Sequence, residues 1–186
     1  MEFVSQTELA SFLSVHGVDL GAYGRREAKT LEQLWTEVEK QECTLLLDGA
    51  GKIRRRAYGA QIAIYYRRGD KTLQQIEDCQ VFHDGRIHRR QLGASIGEKM
   101  QGDEKPLAAA RRALSEELGI EENLALDPEE TQTKTVHSLT YPGLISEYVI
   151  YTYSTWLPDH LYKPEGYVEV QEDKTNFWVW HKTKRD

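Results

Sequence analysis

The strongest chemical signal in the sequence is a pair of adjacent acidic residues, Glu116 and Glu117, near the end of a helical stretch that also carries Arg112. Adjacent carboxylates repel each other unless a positive group lies among them, and a hard divalent cation or an arginine can supply that charge. Arg112 is four residues from Glu116, so the two share one helix face. Gly97 and Gly102 precede the helix and let the backbone approach a ligand. The pattern indicates either a cation site or a solvated acidic helix end.

The stretch from Glu98 to Ile120 resembles the box of the Nudix family, G-x5-E-x7-R-E-U-x-E-E-x-G-U, in which U is an aliphatic residue. An alignment without gaps matches seven of the nine defined positions. The matched residues are Glu104, Arg112, Leu114, Glu116, Glu117, Gly119 and Ile120. Two positions differ, because Glu98 replaces the first Gly, with Gly97 one residue earlier, and Ala113 replaces the Glu that follows the Arg.

This resemblance implies a Nudix-type α/β/α sandwich, in which a mixed sheet lies between helices. Members of the family typically hydrolyse a diphosphate linked to another moiety, with Mg²⁺ or Mn²⁺ as the cofactor. The resemblance further implies that Glu116, Glu117 and the Gly97 carbonyl bind the metal. It gives Arg112 the role of orienting the carboxylates and Glu104 that of pairing with or positioning them, so the implied catalytic residues are Glu104, Arg112 and Glu117.

Ala113 is the departure with the largest chemical consequence. In many relatives the Glu at this position binds metal or takes part in activating the nucleophile, so the resemblance implies weakened or rearranged catalysis here. Another carboxylate could substitute for it. Glu147 lies on the same alternating strand face as Val149 and is one candidate, as an acidic ligand from outside the box. Glu98, in the loop at the first box position, is a second candidate. A surface position on its strand is the alternative for Glu147.

Two functions therefore stay open. The first is a divalent-metal-dependent hydrolase of a nucleoside diphosphate derivative or a related phosphoanhydride. The second is a non-hydrolytic Nudix-fold module that binds a phosphorylated ligand or a protein partner, with partner-facing residues Leu9, Phe12, Leu13 and Trp35. For either function Arg56 and Arg90 are candidates for phosphate contact, since a guanidinium binds phosphate oxygens in a fork. Solvated positions on strand edges are the alternative for both arginines.

The composition of the chain limits the kinds of partner that it is expected to bind. The chain has 24 Lys and Arg against 30 Asp and Glu, which argues against a general nucleic-acid-binding surface. Cys43 and Cys79 are too few for a disulfide framework, so we expect two buried thiols in the cytoplasm or another reducing compartment. No long apolar run follows a basic flank or reaches the length of a membrane span, so we expect no membrane association.

The elements that position these residues are readable from capping and periodicity. Ser5 with Glu8 and Thr30 with Gln33 have the spacing of helix-starting capping boxes, so two short helices are predicted before residue 45. From Leu45 onward, short segments rich in β-branched and aromatic residues predict strands, interrupted by one long helix over 106–118. We therefore predict an N-terminal helical extension at 1–44 and a Nudix-like domain at 45–186. The extension should dock on this domain or on a second subunit, which leaves a homodimer open.

Overall fold

The computed structural model describes residues 1–89 and 94–183. Within these residues there are three α-helices: α1 is Gln6–Val15, α2 is Leu31–Glu39 and α3 is Pro106–Leu118. Short 3₁₀ turns occupy Leu20–Ala22 and Asp159–Leu161. None of the helices in the described residues is long and apolar enough to cross a membrane.

Nine strands alternate with these helices in the described part of the chain. They are β1 (Thr44–Leu47), β2 (Ile53–Arg68), β3 (Lys71–Phe82), β4 (Ile87–His88), β5 (Ile96–Lys99), β6 (Asp127–His137), β7 (Ile145–Trp156), β8 (Tyr167–Val170) and β9 (Lys174–Lys182). The strands are ordered β6-β7-β2-β3-β9-β8, while β1 and β5 pair with β2, and β4 pairs with β3. The predicted α/β class, with a mixed sheet preceded by two short N-terminal helices, is confirmed.

The hairpins fix the register of the central strands. β2 and β3 are antiparallel, with Tyr65 opposite Gln74. β3 also pairs antiparallel with β9, with Glu77 opposite Trp178, and the register shifts between Glu77 and Cys79. Such a bulge re-aims the side chains that follow it. Glu77 is therefore an inward-facing acidic residue at an irregular point of the sheet, since only 6% of it is exposed.

The helix ends follow the capping chemistry that the sequence predicts. The Ser5 side chain accepts a hydrogen bond from the Glu8 N–H, and a reciprocal capping box joins Thr30 and Gln33. α3 has Pro106 in its first turn and ends at Gly119, whose φ of 66° is left-handed. A residue without a Cβ adopts that conformation at little cost, so the helix stops there.

The described chain divides into two compact units. Unit 1 comprises 1–59, 99–104 and 132–150, and unit 2 comprises 60–98, 105–131 and 151–186. Each unit is assembled from three separate stretches, and strands β2, β5, β6 and β7 contribute residues to both. The division between an extension at 1–44 and a domain at 45–186 stays a prediction.

The core of unit 1 joins the N-terminal helices to the first strands. Its buried members are Leu9, Leu13, Val18, Leu34, Cys43, Leu45, Ile53, Ala57, Tyr141 and Leu144. Half of them precede residue 45, so α1 and α2 are part of this core. Phe12 and Trp35, predicted to face a partner, are partly buried against the same core. Leu9 and Leu13, predicted likewise, are fully buried.

In unit 2, Ser95 forms hydrogen bonds with residues of three strands, β2, β3 and β9. The Ser95 hydroxyl donates to the Gln75 carbonyl (2.5 Å) and accepts from the Ile64 N–H (2.9 Å). The Ser95 carbonyl accepts from the Trp178 indole N–H at 2.9 Å. Ser95 thereby fixes the chain immediately before β5, and β5 leads directly to the candidate site.

Candidate functional site

The candidate site is formed where β5 and α3 bring Gly97 and Glu117 together in unit 2. The Gly97 N–H donates to Glu117 Oε1 at 3.2 Å. Gly97 also lies close to β2, because an added Cβ would come within 2.9 Å of Gln61 Cγ and 3.2 Å of the Ala60 carbonyl oxygen. Glycine is therefore required by close packing at this position. The observed contact uses the N–H of Gly97, and ligation by its carbonyl stays a prediction.

Arg112 lies between two carboxylates. Its Nη1 atom is 3.2 Å from Glu116 Oε2, one helical turn away, and 3.4 Å from Glu98 Oε2. Glu98, which stands where the family box has a glycine, is thus an ion-pair partner of the box arginine. Arg112 therefore contacts one carboxylate of the loop and one of the helix, and its role in orienting carboxylates stays a prediction.

The pKa of the Glu117 carboxyl group is strongly raised. Burial, followed by the negative charges of Glu98 and Glu169, raises its pKa to about 8, while the Gly97 N–H acts in the opposite direction. The charge of Glu77 contributes in the same direction as the other two carboxylates. A carboxylate that ionises so reluctantly among other acids is stabilised in its charged form by any added cation.

Sequence reasoning missed Glu77 and Glu169 as members of this acidic group. Glu169 lies on β8, where Asn176 Nδ2 donates to it at 2.6 Å and Gln171 Nε2 donates at 2.8 Å. Glu77 accepts from Gln80 Nε2 at 3.5 Å. Glu77 shares the alternation of Leu73 and Gln75 on β3, and that pattern of buried-face positions was the available signal.

Ala113 lies on the packed face of α3. The spacing of positions 113, 116 and 117 predicts one shared patch on the helix, but the Ala113 side chain is fully buried, on the face that also buries Ala110 and Leu114. Glu116 is exposed and Glu117 is half-buried. The three positions are helical neighbours, and the rotation of α3 relative to its packing face decides which of them reaches solvent.

The other predicted site residues lie in unit 1 or outside the described residues. Glu104 accepts a hydrogen bond from the Gln101 N–H at 3.1 Å and so closes the turn before α3. Arg56 Nε is paired with Glu147 Oε1 at 2.5 Å, which joins the predicted phosphate contact to the predicted metal ligand. Arg90 lies outside the described residues, and the roles of all four stay predictions.

The donor chemistry around Glu117 fits a hard divalent cation. All of its acidic neighbours offer carboxylate oxygens, which Mg²⁺ and Mn²⁺ prefer over nitrogen or sulfur, and their mutual repulsion favours an added positive charge. Among the described residues, however, no three His, Cys, Asp or Glu side chains are arranged to hold a metal ion together. The residues around Glu117 therefore suit a weakly bound cation that is held by few protein ligands.

The chain matches no protein-family model and no curated protein. Among solved structures it is similar to the C. elegans Ap4A hydrolase, with 15% identity and a TM-score of 0.40 over 67% of this chain and 79% of that one. It is also similar to the E. coli dihydroneopterin triphosphate pyrophosphohydrolase, with 16% identity and a TM-score of 0.41 over 66% and 78% of the chains. A third is the NUDIX domain of Shewanella oneidensis NrtR, solved with ADP ribose, with 10% identity and a TM-score of 0.37 over 67% and 71%. These are similarities of fold, and at this level they carry no argument about activity.

Proposed function

We propose that this chain is a Nudix-like, divalent-metal-dependent hydrolase of a nucleoside diphosphate derivative or related phosphoanhydride, with catalysis weakened or rearranged by Ala113. The observation that carries the proposal is the arrangement of Glu117 on the Gly97 N–H, next to an arginine that bridges Glu98 and Glu116. Seven matched box positions in the sequence provide the chemical interpretation.

Each residue of the site has a specific proposed task. Glu117 and Glu116 provide carboxylate oxygens to Mg²⁺ or Mn²⁺, with the Gly97 carbonyl as a further ligand. Arg112 holds the Glu116 and Glu98 carboxylates in place, and Glu104 keeps the preceding turn closed. When bound, a divalent cation offsets the charge of a diphosphate and lowers the pKa of a coordinated water. Arg56 and Arg90 contact phosphate oxygens.

A specific observation also favours the second candidate, a non-hydrolytic module that binds a phosphorylated ligand or a protein partner. The fully buried methyl of Ala113 occupies the position of a box carboxylate, and no ready group of three ligands exists among the described residues. A site with too few carboxylates can neutralise a diphosphate without aligning a water for attack, because in-line attack needs tighter geometry than binding does.

The deciding experiment measures Mn²⁺ binding and turnover together. Titration of the protein with Mn²⁺ should show one weak site, and Glu117→Gln should weaken it by about tenfold or more, since even the loss of a group that hydrogen-bonds to a metal ligand typically costs that much affinity. Nucleoside diphosphate sugars, dinucleoside polyphosphates and dinucleotide cofactors are then assayed with Mn²⁺ and with Mg²⁺. The hydrolase proposal expects turnover of at least one of them, and loss of that turnover in Glu117→Gln.

Glu172→Gln is the matched control, because Glu172 is an exposed carboxylate in the turn between β8 and β9. It should leave both Mn²⁺ binding and turnover unchanged. Equal Mn²⁺ binding by the wild type and Glu117→Gln would contradict the proposed site. Mn²⁺ binding and ligand-induced thermal stabilisation without turnover would instead select the non-hydrolytic module.

A further inference from the structure

Strand β6 has the features of an edge that another strand can extend. It is the first strand in the sheet order, and its neighbour among the described residues is β7. Ten of its eleven residues are exposed, with Val136 partly buried. A strand exposed on both faces gains little from burial in its own chain, while its outer edge offers backbone donors and acceptors to a further strand.

The geometry of a sheet restricts how two copies of β6 could pair. Two identical strands side by side and antiparallel are related by a two-fold axis perpendicular to the sheet. This axis leaves each side chain on its own face, and directly opposite residues must share a face. The pairing must therefore be centred on a residue and never between two residues. This leaves one register for each residue of the strand.

One of these registers pairs unlike charges. Centring on Gln132 places Glu130 opposite Lys134, and Asp127 opposite His137, and each pair occurs twice by symmetry. The same register places Thr131 opposite Thr133, a favourable cross-strand pair.

The neighbouring registers are less favourable. Centring on Thr131 or on Thr133 leaves Glu130 and Lys134 opposite uncharged residues. Centring on Glu130 or Lys134 places that residue opposite its own copy, which sets like charges against each other. The charge pattern of β6 is therefore complementary to itself in the Gln132 register.

We infer that β6 is an interaction surface for a second copy of this chain, which joins antiparallel in the register centred on Gln132. The acidic first half of the strand (Asp127, Glu129, Glu130) meets the second half of the other copy, which carries Lys134 and His137. This selects a second copy over an unrelated strand, which would have no reason to match the pattern. A single strand pair is small compared with a stable interface of about 1,600 Å², so the dimer is weak and depends on concentration.

Charge reversal tests both the partner and the register. Sedimentation velocity of the whole chain, over about 1 to 500 μM, should show a monomer–dimer equilibrium in the wild type. Lys134→Glu places an acid opposite Glu130 in both symmetry-related pairs. Glu130→Lys places a lysine opposite Lys134 in both pairs. Each should raise the dimer Kd by about tenfold or more. The double variant, Glu130→Lys with Lys134→Glu, rebuilds the pairs in reverse and should restore the wild-type Kd.

Lys71→Glu is the matched control, because Lys71 is an exposed lysine at the start of β3 and its reversal changes the net charge equally. It should leave the Kd unchanged. A wild type that stays monomeric over this range overturns the inference. Single variants that dimerise like the wild type, or a double variant as weak as the single ones, would overturn it equally. These outcomes are independent of metal binding and turnover at Glu117.

Discussion

Ala113 is the residue at which packing and chemistry compete. Its methyl group is fully buried on the packed face of α3, one turn before Glu116 and Glu117. A carboxylate at this position would have to enter the packed face or find a positive charge. The departure from the Nudix-like box is thus also a packing feature, and restoring the box residue has a structural cost.

Ala113→Glu should lower the free energy of unfolding by about 3 kcal/mol in metal-free buffer, since a buried unpaired charge is strongly destabilising. Saturating Mn²⁺ should recover part of this loss, because the added acid lies beside the proposed site and gains a counter-charge. Thermal and urea unfolding, with and without Mn²⁺, measure both effects.

Ala113→Gln separates charge from size in that experiment. The amide is as large as the carboxylate but carries no charge, so its destabilisation should be independent of Mn²⁺. If Mn²⁺ stabilised the Glu and Gln variants equally, position 113 would not adjoin a cation site.

The sequence predicted the site residues that lie on one local segment and missed those brought in by the sheet. Arg112 and Glu116 are four residues apart, so helix geometry alone pairs them. Glu77 and Glu169 reach the surroundings of Glu117 from β3 and β8, and their positions depend on strand register and a bulge. No local spacing encodes that arrangement. The spacing of Ala113 from Glu116 and Glu117 shows that the three are helical neighbours. It does not show which of them faces the packed side of α3.

At the scale of elements, α2 is attached to β2 through a buried ion pair. Arg55, on β2, is 2% exposed and donates through Nη2 to Glu37 of α2. Its guanidinium carbon also lies 5.2 Å from the centre of the Tyr141 ring and 5.6 Å from that of Tyr148. Lys29 and Lys99 contact the same Glu37 carboxylate at 2.9 and 2.7 Å. One carboxylate of α2 therefore contacts three cations, and Lys99 also contacts a second acid, Glu42, at 3.1 Å.

Glu37→Gln should cost about 3 kcal/mol of unfolding free energy at neutral pH, because it leaves buried Arg55 without its counter-charge. Burial opposes ionisation of Glu37, yet Arg55 and Lys99 lower its pKa to about 2 from an ordinary value of 4.5. With the pKa lowered in the folded state, this stability is present above about pH 4.5 and is lost as the pH falls through about 2. The wild type should therefore lose more stability on acidification than Glu37→Gln does.

Glu32→Gln is the control for α2, since Glu32 is exposed in the first turn of the same helix. Its unfolding free energy should stay within about 0.5 kcal/mol of the wild type. Parallel acid-dependence curves for the wild type and Glu37→Gln would show that Glu37 is not the linked group.

Sequence patterns predicted the existence of the elements better than their tertiary contacts. Capping residues located the starts of α1 and α2 because the cap hydrogen bonds are local. The hydrophobic stripes of these helices predicted that they dock, but no pattern indicated that Glu37 would be buried beside Arg55. A carboxylate on a short amphipathic helix is normally solvated, and only the fold supplies the three cations.

At the scale of the whole molecule, the N-terminal helices belong to a core that the rest of the chain completes. Unit 1 takes its residues from three stretches that are far apart in sequence, and α1 and α2 supply Leu9, Leu13 and Leu34. A unit assembled in this way cannot lose one stretch without exposing the apolar surface of the others. The predicted boundary at residue 45 follows the change from helical to strand periodicity in the sequence. Periodicity does not show which elements pack into a common core.

A chain that begins at Leu45 should therefore melt at a much lower temperature than the full chain, or lose cooperative unfolding, because Leu45, Ile53 and Leu144 lose their packing partners.

Leu9→Ala tests the same packing with one substitution. It should lower the free energy of unfolding by about 3 kcal/mol, since Leu9 is fully buried. Val15→Ala on the same helix removes a side chain that is 82% exposed and should change little. Circular dichroism melts of all three compare the effects directly. A chain starting at Leu45 that melts like the full chain, or a Val15→Ala loss equal to that of Leu9→Ala, would show that the helices are not part of the core of unit 1.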